Sequence, residues 1–190
     1  MHNKFGATHF INAWKYFFLF MGFSTGIGVF VHGFKIYFYE TAYHYTWMAM
    51  NIAAALASYF TIKATVKFLS RNVKERKKLN LINLFSLLTF ISITFIQNNF
   101  ETVKIYIGTA VAITFISHLI GHMKEDLVSK YIMLGMGISF LTLFIHSTQF
   151  SFSVWFDYKA ISHVIMMVSL ILVYRGVFIA NRRLAFTAVQ

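Results

Sequence analysis

Residues 24–34, STGIGVFVHGF, end the first of six long apolar segments and indicate the fold most clearly. Ser24, Gly28 and His32 follow one another at intervals of four residues, so on a helix they lie along one face. Two small residues followed by a histidine at the end of an apolar helix are typical of a face that packs closely against a neighbouring helix. The same face carries one imidazole at its end.

The composition of the whole chain points to a membrane protein. Hydrophobic residues make up 58% of the chain and charged residues only 12%, whereas a soluble domain carries about 25% charged residues. There is no proline, so no apolar segment carries a proline kink. There is no cysteine either, which excludes disulfides, thiolate metal sites, covalently attached c-type haem, and lipoprotein or palmitoyl anchors.

Six segments have the roughly 18–24 residues that cross a hydrocarbon core of about 30 Å. We place these spans at residues 14–32, 45–68, 79–96, 103–123, 127–146 and 154–175. Residues 1–12 precede them as a short segment on the membrane surface. The loops are short and no internal repeat is evident, so we expect an all-α, six-helix transmembrane bundle that forms one domain over residues 1–190.

The distribution of basic residues predicts the orientation. The net charge of +11 could suggest nucleic acid, but the basic residues lie in the loops between apolar spans. With the N-terminus inside, only Lys35, Lys104 and Lys159 of the 17 lysines and arginines fall in outer segments. The positive-inside rule then places both termini in the cytoplasm, with the bilayer as partner and no nucleic acid. We expect a bacterial inner (plasma) membrane location, with Trp47 and Trp155 in an outer aromatic belt.

Three histidines fall near the outer ends of different spans and form a candidate metal site. His32, His146 and His163 belong to the first, fifth and sixth spans, with Asp157 and Ser24 nearby. Imidazole nitrogens and one water form the usual shell of a catalytic zinc ion, which lowers the pKa of that water to about 7. Asp157 could then act as general base or orient a histidine. Alternatively, such histidines hydrogen-bond lipid headgroups or helix ends.

Other histidine arrangements keep two further interpretations open. His118 and His122 are four residues apart on the fourth span, a spacing that suits one metal ion or a structural contact at the inner rim. The acidic residue that a zincin motif requires is absent from this pair. Haem b would need two histidines at matching depth on facing helices, and His32 with His146 or His163 is the candidate pair.

Two segments resemble a known superfamily. GIGVFVHGF at the end of the first span and FDYKAISHVIMMVSLILVYRG over the last span resemble the alkaline ceramidases, the adiponectin-type receptors and small uncharacterised bacterial relatives. Active members of that superfamily are seven-span, zinc-dependent lipid amidases with a Ser-xxx-His helix, an Asp and a late His-xxx-His helix. The resemblance implies that His32 is the first ligand, His163 a late ligand and Asp157 the carboxylate.

The chain also differs from that superfamily. Position 28 is Gly where the hydrolases have Ser, position 159 is Lys where a second late His is expected, and one span fewer is present. His146 would replace the lost ligand if the fifth and sixth helices are neighbours.

Three functional hypotheses follow from these observations. The first is a hydrolase-like membrane protein with a zinc site at its outer face, acting on a lipid or amphipathic substrate. The second is a non-enzymatic integral subunit or scaffold of a larger membrane complex, with a small-residue seam at Asn51, Ala55 and Ser58. The third is a haem b electron carrier.

Overall fold

The structure, a computed structural model, describes the backbone of residues 4–70, 72–153 and 156–189. Trp155 and Arg71 lie outside the described residues, as does the side chain of Lys35. The helices are α1 (Lys4–Gly33), a short 3₁₀ helix (Lys35–Tyr37), α2 (Glu40–Leu69), α3 (Val73–Gln97), α4 (Phe100–His122), α5 (Leu127–Thr148) and α6 (Tyr158–Val189). In the described part of the chain, all six α-helices are long and apolar enough to cross a membrane. The prediction of an all-α fold with six such helices is confirmed.

The first and last helices extend beyond the predicted spans. α1 begins at Lys4, so the segment predicted to lie on the membrane surface continues directly into the first span. α6 continues to Val189, well past the predicted end at residue 175. Hydropathy detects only the apolar stretch, whereas helical hydrogen bonding also continues through polar residues of high helix propensity such as Arg182 and Arg183.

Polar residues in the turns before α3 and α5 cap the starts of these two helices. The Asn72 side chain accepts a hydrogen bond from the Lys74 N–H at the start of α3, and Asp126 has the same role at the start of α5. α3 and α5 each end on a residue with left-handed backbone conformation, Asn98 (φ 39°) and Gln149 (φ 51°). Since a helix cannot continue through such a residue, these caps define the turns that the short polar loops predict.

The chain forms two compact units, Asn12–Ala110 and Met1–Ile11 with Val111–Gln190. In the first unit α2 packs on α3, and in the second α5 packs on α6. Single-domain organisation stays a prediction.

The small-residue face of α2 is buried inside the first unit. Its core cluster consists of Ala55, Leu87, Phe90 and Val103. Asn51 on the same face of α2 is 1% exposed and donates from Nδ2 to Oδ1 of Asn98, 3.2 Å away. Ser58 is also buried and donates to the Ala54 carbonyl one turn earlier in its own helix. The Asn51, Ala55 and Ser58 seam is therefore occupied by contacts within the chain.

In the second unit, small residues bring α5 and α6 into close contact. A Cβ atom added at Gly135 would lie 2.6 Å from Cγ2 of Val173 and 2.8 Å from the backbone oxygen of Ser169. The Ser169 hydroxyl donates to the Gly135 carbonyl at 2.7 Å and lies 2.7 Å from the Ser139 hydroxyl. Glycine is required here because the backbone of α6 occupies the space of a side chain. The fifth and sixth helices are thus neighbours.

Candidate functional site

The Ser24, Gly28 and His32 face of α1 contacts a neighbouring helix, as its spacing predicts, and that helix is α2. The Ser24 hydroxyl donates to the backbone oxygen of Met50 at 3.1 Å. A Cβ at buried Gly28 would lie 3.4 Å from the sulfur of Met50, which is ordinary contact distance. The His32 ring lies edge-on to the indole of Trp47, with ring centroids 5.5 Å apart. The face is therefore a helix-packing surface with an exposed imidazole at its end.

Both residues predicted to be catalytic make structural hydrogen bonds. Oδ1 of Asp157 accepts from the backbone N–H groups of Lys159 and Ala160 at 3.0 and 2.9 Å. This carboxylate caps the first turn of α6, where it also faces the positive end of the helix dipole. The single hydroxyl hydrogen of Ser24 is directed at the carbonyl of Met50. In this arrangement both side chains stabilise helices.

The histidines of the candidate zinc site lie on three helices, α1, α5 and α6. His146 on α5 is half-buried and lies edge-on to Tyr158 at 5.3 Å, and His163 on α6 is exposed. His32 belongs to the other compact unit. Among the residues that the structure describes, no group of three or more His, Cys, Asp or Glu side chains could hold a metal ion. The zinc and haem b assignments stay predictions.

The capping role of Asp157 leads to a test that separates it from a chemical role. Replacing Asp157 by alanine removes the acceptor for two backbone N–H groups and should lower the free energy of unfolding by about 1 kcal/mol. For a chain of this size, the corresponding fall in melting temperature is about 2–4 °C. The matched variant Asp157→Ser keeps a capping oxygen and should melt close to the parent protein. Circular dichroism of the protein in detergent measures both, and equal losses in the two variants would contradict the capping role.

A buried polar network joins the end of α4 to the turn that follows it and to the first turn of α5. His118 is 0% exposed, and its Nδ1 lies 3.1 Å from Oγ of Ser129. Oδ2 of Asp126 accepts from both the hydroxyl and the backbone N–H of Ser129, at 2.7 and 2.9 Å. Oδ1 of Asp126 accepts from Arg183 of α6 at 3.0 Å. We refer to these four residues, His118, Asp126, Ser129 and Arg183, as the α4–α5 network.

The charge of Asp126 fixes the direction of the hydrogen bonds. Burial raises the pKa of this carboxyl, but hydrogen bonds from the hydroxyl and N–H of Ser129 and from Arg183 outweigh burial, and the pKa lies below its ordinary value. An ionised carboxylate only accepts hydrogen bonds, so the single hydroxyl hydrogen of Ser129 belongs to Asp126. Nδ1 of His118 must then be the donor to Ser129.

This network does not have the geometry of a nucleophilic serine site. In such a site the histidine lies between the serine and the carboxylate, so that it can accept the serine proton. Here Ser129 lies between His118 and Asp126, and Ser129 is 0% exposed, which keeps substrate away from its hydroxyl. The network connects three helices and does not present a reactive group.

The sequence interpretation missed Asp126, Ser129 and Arg183. The spacing Asp126-x-x-Ser129 is a local signal, because an acceptor at a helix N-cap and a donor three residues later form a capping pair. Arg183 has no comparable signal, since it lies 57 residues from its partner. The HxxxH spacing predicts a shared role for His118 and His122, whereas in the structure His118 contacts Ser129.

Comparison with known protein families identifies a family to which the chain is similar. A model for a family of unknown function (DUF6962) matches residues 1–181. This range contains all the α1–α2 contacts described above and ends before Arg183. No curated protein and no solved structure matches the chain.

Proposed function

The chain belongs to this family of unknown function, and we propose that it is an integral membrane protein that acts as a non-enzymatic subunit of a larger membrane assembly. In this proposal all six helices span the bilayer and both termini are cytoplasmic.

The observation that carries membrane insertion is the apolar character of the exposed helix surfaces. Phe85 on α3, Ile105 on α4 and Ile171 on α6 are 61%, 70% and 63% exposed. Transfer of one such side chain from water to an apolar medium contributes about 1.5–3 kcal/mol. Soluble proteins rarely expose large contiguous apolar surfaces, whereas lipid-facing helix surfaces are built from such residues.

The hydrogen bonds of the polar side chains support a non-enzymatic role. Ser24 is bonded to the backbone of α2, Asp157 caps α6, and Asp126 with Ser129 caps α5. Each of these groups could take part in catalysis by residue type, but each one serves a helix contact or helix end.

One face of α1 supports association with another transmembrane helix. Gly22 and Gly26 are four residues apart and exposed, and within the described residues nothing lies within 4 Å of a Cβ added at either. Val29 continues the same face one turn later and is 61% exposed. Glycines at this spacing let two membrane helices approach closely. We refer to Gly22, Gly26 and Val29 as the α1 glycine face, and propose that it binds a transmembrane helix of another subunit.

Single-cysteine crosslinking in membranes tests this role, because the chain contains no cysteine of its own. Gly26→Cys and Val29→Cys should each form a crosslinked product, whereas Phe85→Cys on the exposed face of α3 should give little. Adding Gly26→Ile to the Val29→Cys variant should reduce the product about tenfold, because overpacking a helix contact costs at least about 1.4 kcal/mol.

Two outcomes would contradict the proposal. Equal amounts of crosslinked product from the α1 and α3 variants would show that the α1 glycine face has no specific partner. Release of the protein from membranes by alkaline extraction would contradict insertion itself.

A further inference from the structure

The first turns of α3 carry three lysines on one helix face. Lys74, Lys77 and Lys78 are spaced three and four residues apart, and all three are exposed. Leu81 and Ile82 continue the same face one turn later and are 53% and 54% exposed. The face thus changes from basic to apolar within one helical turn. We refer to Lys74, Lys77 and Lys78 as the α3 basic face.

The acidic residue within this segment, Glu75, is hydrogen-bonded to the turn that precedes α3. Oε2 of Glu75 accepts a hydrogen bond from the Ser70 hydroxyl at 2.8 Å, and Ser70 is buried in the turn between α2 and α3. The negative charge of Glu75 therefore lies at the turn.

The ion pairs of the described residues lie outside the α3 basic face. In the described parts of the chain the ion pairs join Lys104 to Glu101 and Arg183 to Asp126, and neither involves the α3 basic face.

Helix stability does not explain this placement of lysines. Lys74 lies in the first turn of α3, where the helix dipole is positive and basic side chains are disfavoured, and Lys77 and Lys78 follow in the second turn. A bound anion would reduce both the repulsion among the lysines and their unfavourable interaction with the helix dipole. The exposed leucine and isoleucine that follow are apolar, so the anion that fits this boundary has a negatively charged group attached to hydrocarbon.

We propose that Lys74, Lys77 and Lys78 bind the phosphate groups of anionic phospholipids, with Leu81 and Ile82 against the acyl chains. Basic residues next to a membrane surface attract anionic headgroups, and the attraction is additive over several residues. This inference rests on the proposed membrane insertion.

The test compares the full-length protein in nanodiscs of phosphatidylcholine alone and of phosphatidylcholine mixed with phosphatidylglycerol in equal parts. Native mass spectrometry then counts the lipids that stay bound. The parent protein should retain phosphatidylglycerol preferentially. Each lysine should contribute about fivefold, so Lys74→Gln/Lys77→Gln/Lys78→Gln should lose on the order of a hundredfold in preference.

A charge-matched variant controls for net charge. Lys15→Gln/Lys124→Gln/Lys130→Gln removes three exposed lysines that do not share one helix face, and this variant should keep most of the preference. Equal losses in the two triple variants, or an unchanged preference in the first, would overturn the proposal. Displacement of phosphatidylglycerol by inorganic phosphate would assign the face to free phosphate and would also overturn it.

Alkaline extraction of each variant from membranes keeps this inference separate from the proposed insertion. A protein that stays in the membrane fraction without lipid preference contradicts only the lipid site. A protein that is released contradicts the insertion on which the site rests.

Discussion

Replacing Gly135 by alanine should separate α5 from α6 and lower the free energy of unfolding by about 2–3 kcal/mol. The added methyl group would lie 2.6 Å from Cγ2 of Val173, 2.8 Å from the backbone oxygen of Ser169 and 3.1 Å from the backbone nitrogen of Val173. A valine methyl can rotate away, but the backbone of α6 can move only if the two helices move apart. That movement would also lengthen the hydrogen bond from Ser169 to the Gly135 carbonyl, now 2.7 Å.

Thermal unfolding of the purified chain in detergent measures this effect. A loss of 2–3 kcal/mol corresponds to a fall in melting temperature of about 5–10 °C for a chain of this length. Gly22→Ala is the matched control, since a Cβ at Gly22 meets nothing within 4 Å in the described residues. Alanine is the better helix former by about 0.5–1 kcal/mol, so the control should melt at the same temperature or slightly higher. A Gly135→Ala protein as stable as the control would contradict the close α5–α6 contact.

Replacing Asp126 by alanine should lower the free energy of unfolding by about 2–4 kcal/mol, because it removes a helix cap and leaves the buried Ser129 hydroxyl without its acceptor. The ion pair with Arg183 is lost as well, but the Arg183 side chain is 55% exposed. Arg183→Gln should therefore cost less than about 1 kcal/mol. This difference distinguishes the buried hydrogen bonds of Asp126 from its surface ion pair. Similar losses in the two variants would show that the ion pair dominates.

The same residue should make stability depend on pH in the acid range. The folded chain holds the pKa of Asp126 below its ordinary value of 3.8, so the fold favours the ionised form. The resulting stability is fully present above the ordinary pKa and is lost as the pH falls through the lower pKa of the folded state. Melting temperatures measured from neutral to acidic pH should fall less steeply in Asp126→Asn than in the parent protein. Parallel curves would contradict a depressed pKa.

Six helices could be predicted from the sequence because an uninterrupted apolar segment of membrane-spanning length has few stable conformations other than an α-helix. Their ends could not, because hydropathy changes at Arg175 while backbone hydrogen bonding in α6 continues to Val189. That Ser24, Gly28 and His32 share one packing face of α1 was predictable from their spacing, but the spacing did not predict that this face contacts α2.

The α4–α5 network could not be predicted in full. Asp126 and Ser129 are close in sequence, but His118 and Arg183 reach them from two other helices. Periodicity predicts which residues share a face of one helix and carries no information about which helices meet. For the same reason, the sequence could not predict whether His32, His146 and His163 lie close together.

The sequence separations in the α4–α5 network imply an order of assembly during synthesis. The bond from Ser129 to Asp126 spans 3 residues and can form with the first turn of α5. The bond between His118 and Ser129 spans 11 residues and can follow once α4 and α5 fold against each other. Arg183, 57 residues from Asp126, leaves the ribosome last, because chains emerge from their N-terminus. Its ion pair with Asp126 can therefore form only after α6 has emerged. By then the local hydrogen bonds between Asp126 and Ser129 can already have formed the turn before α5.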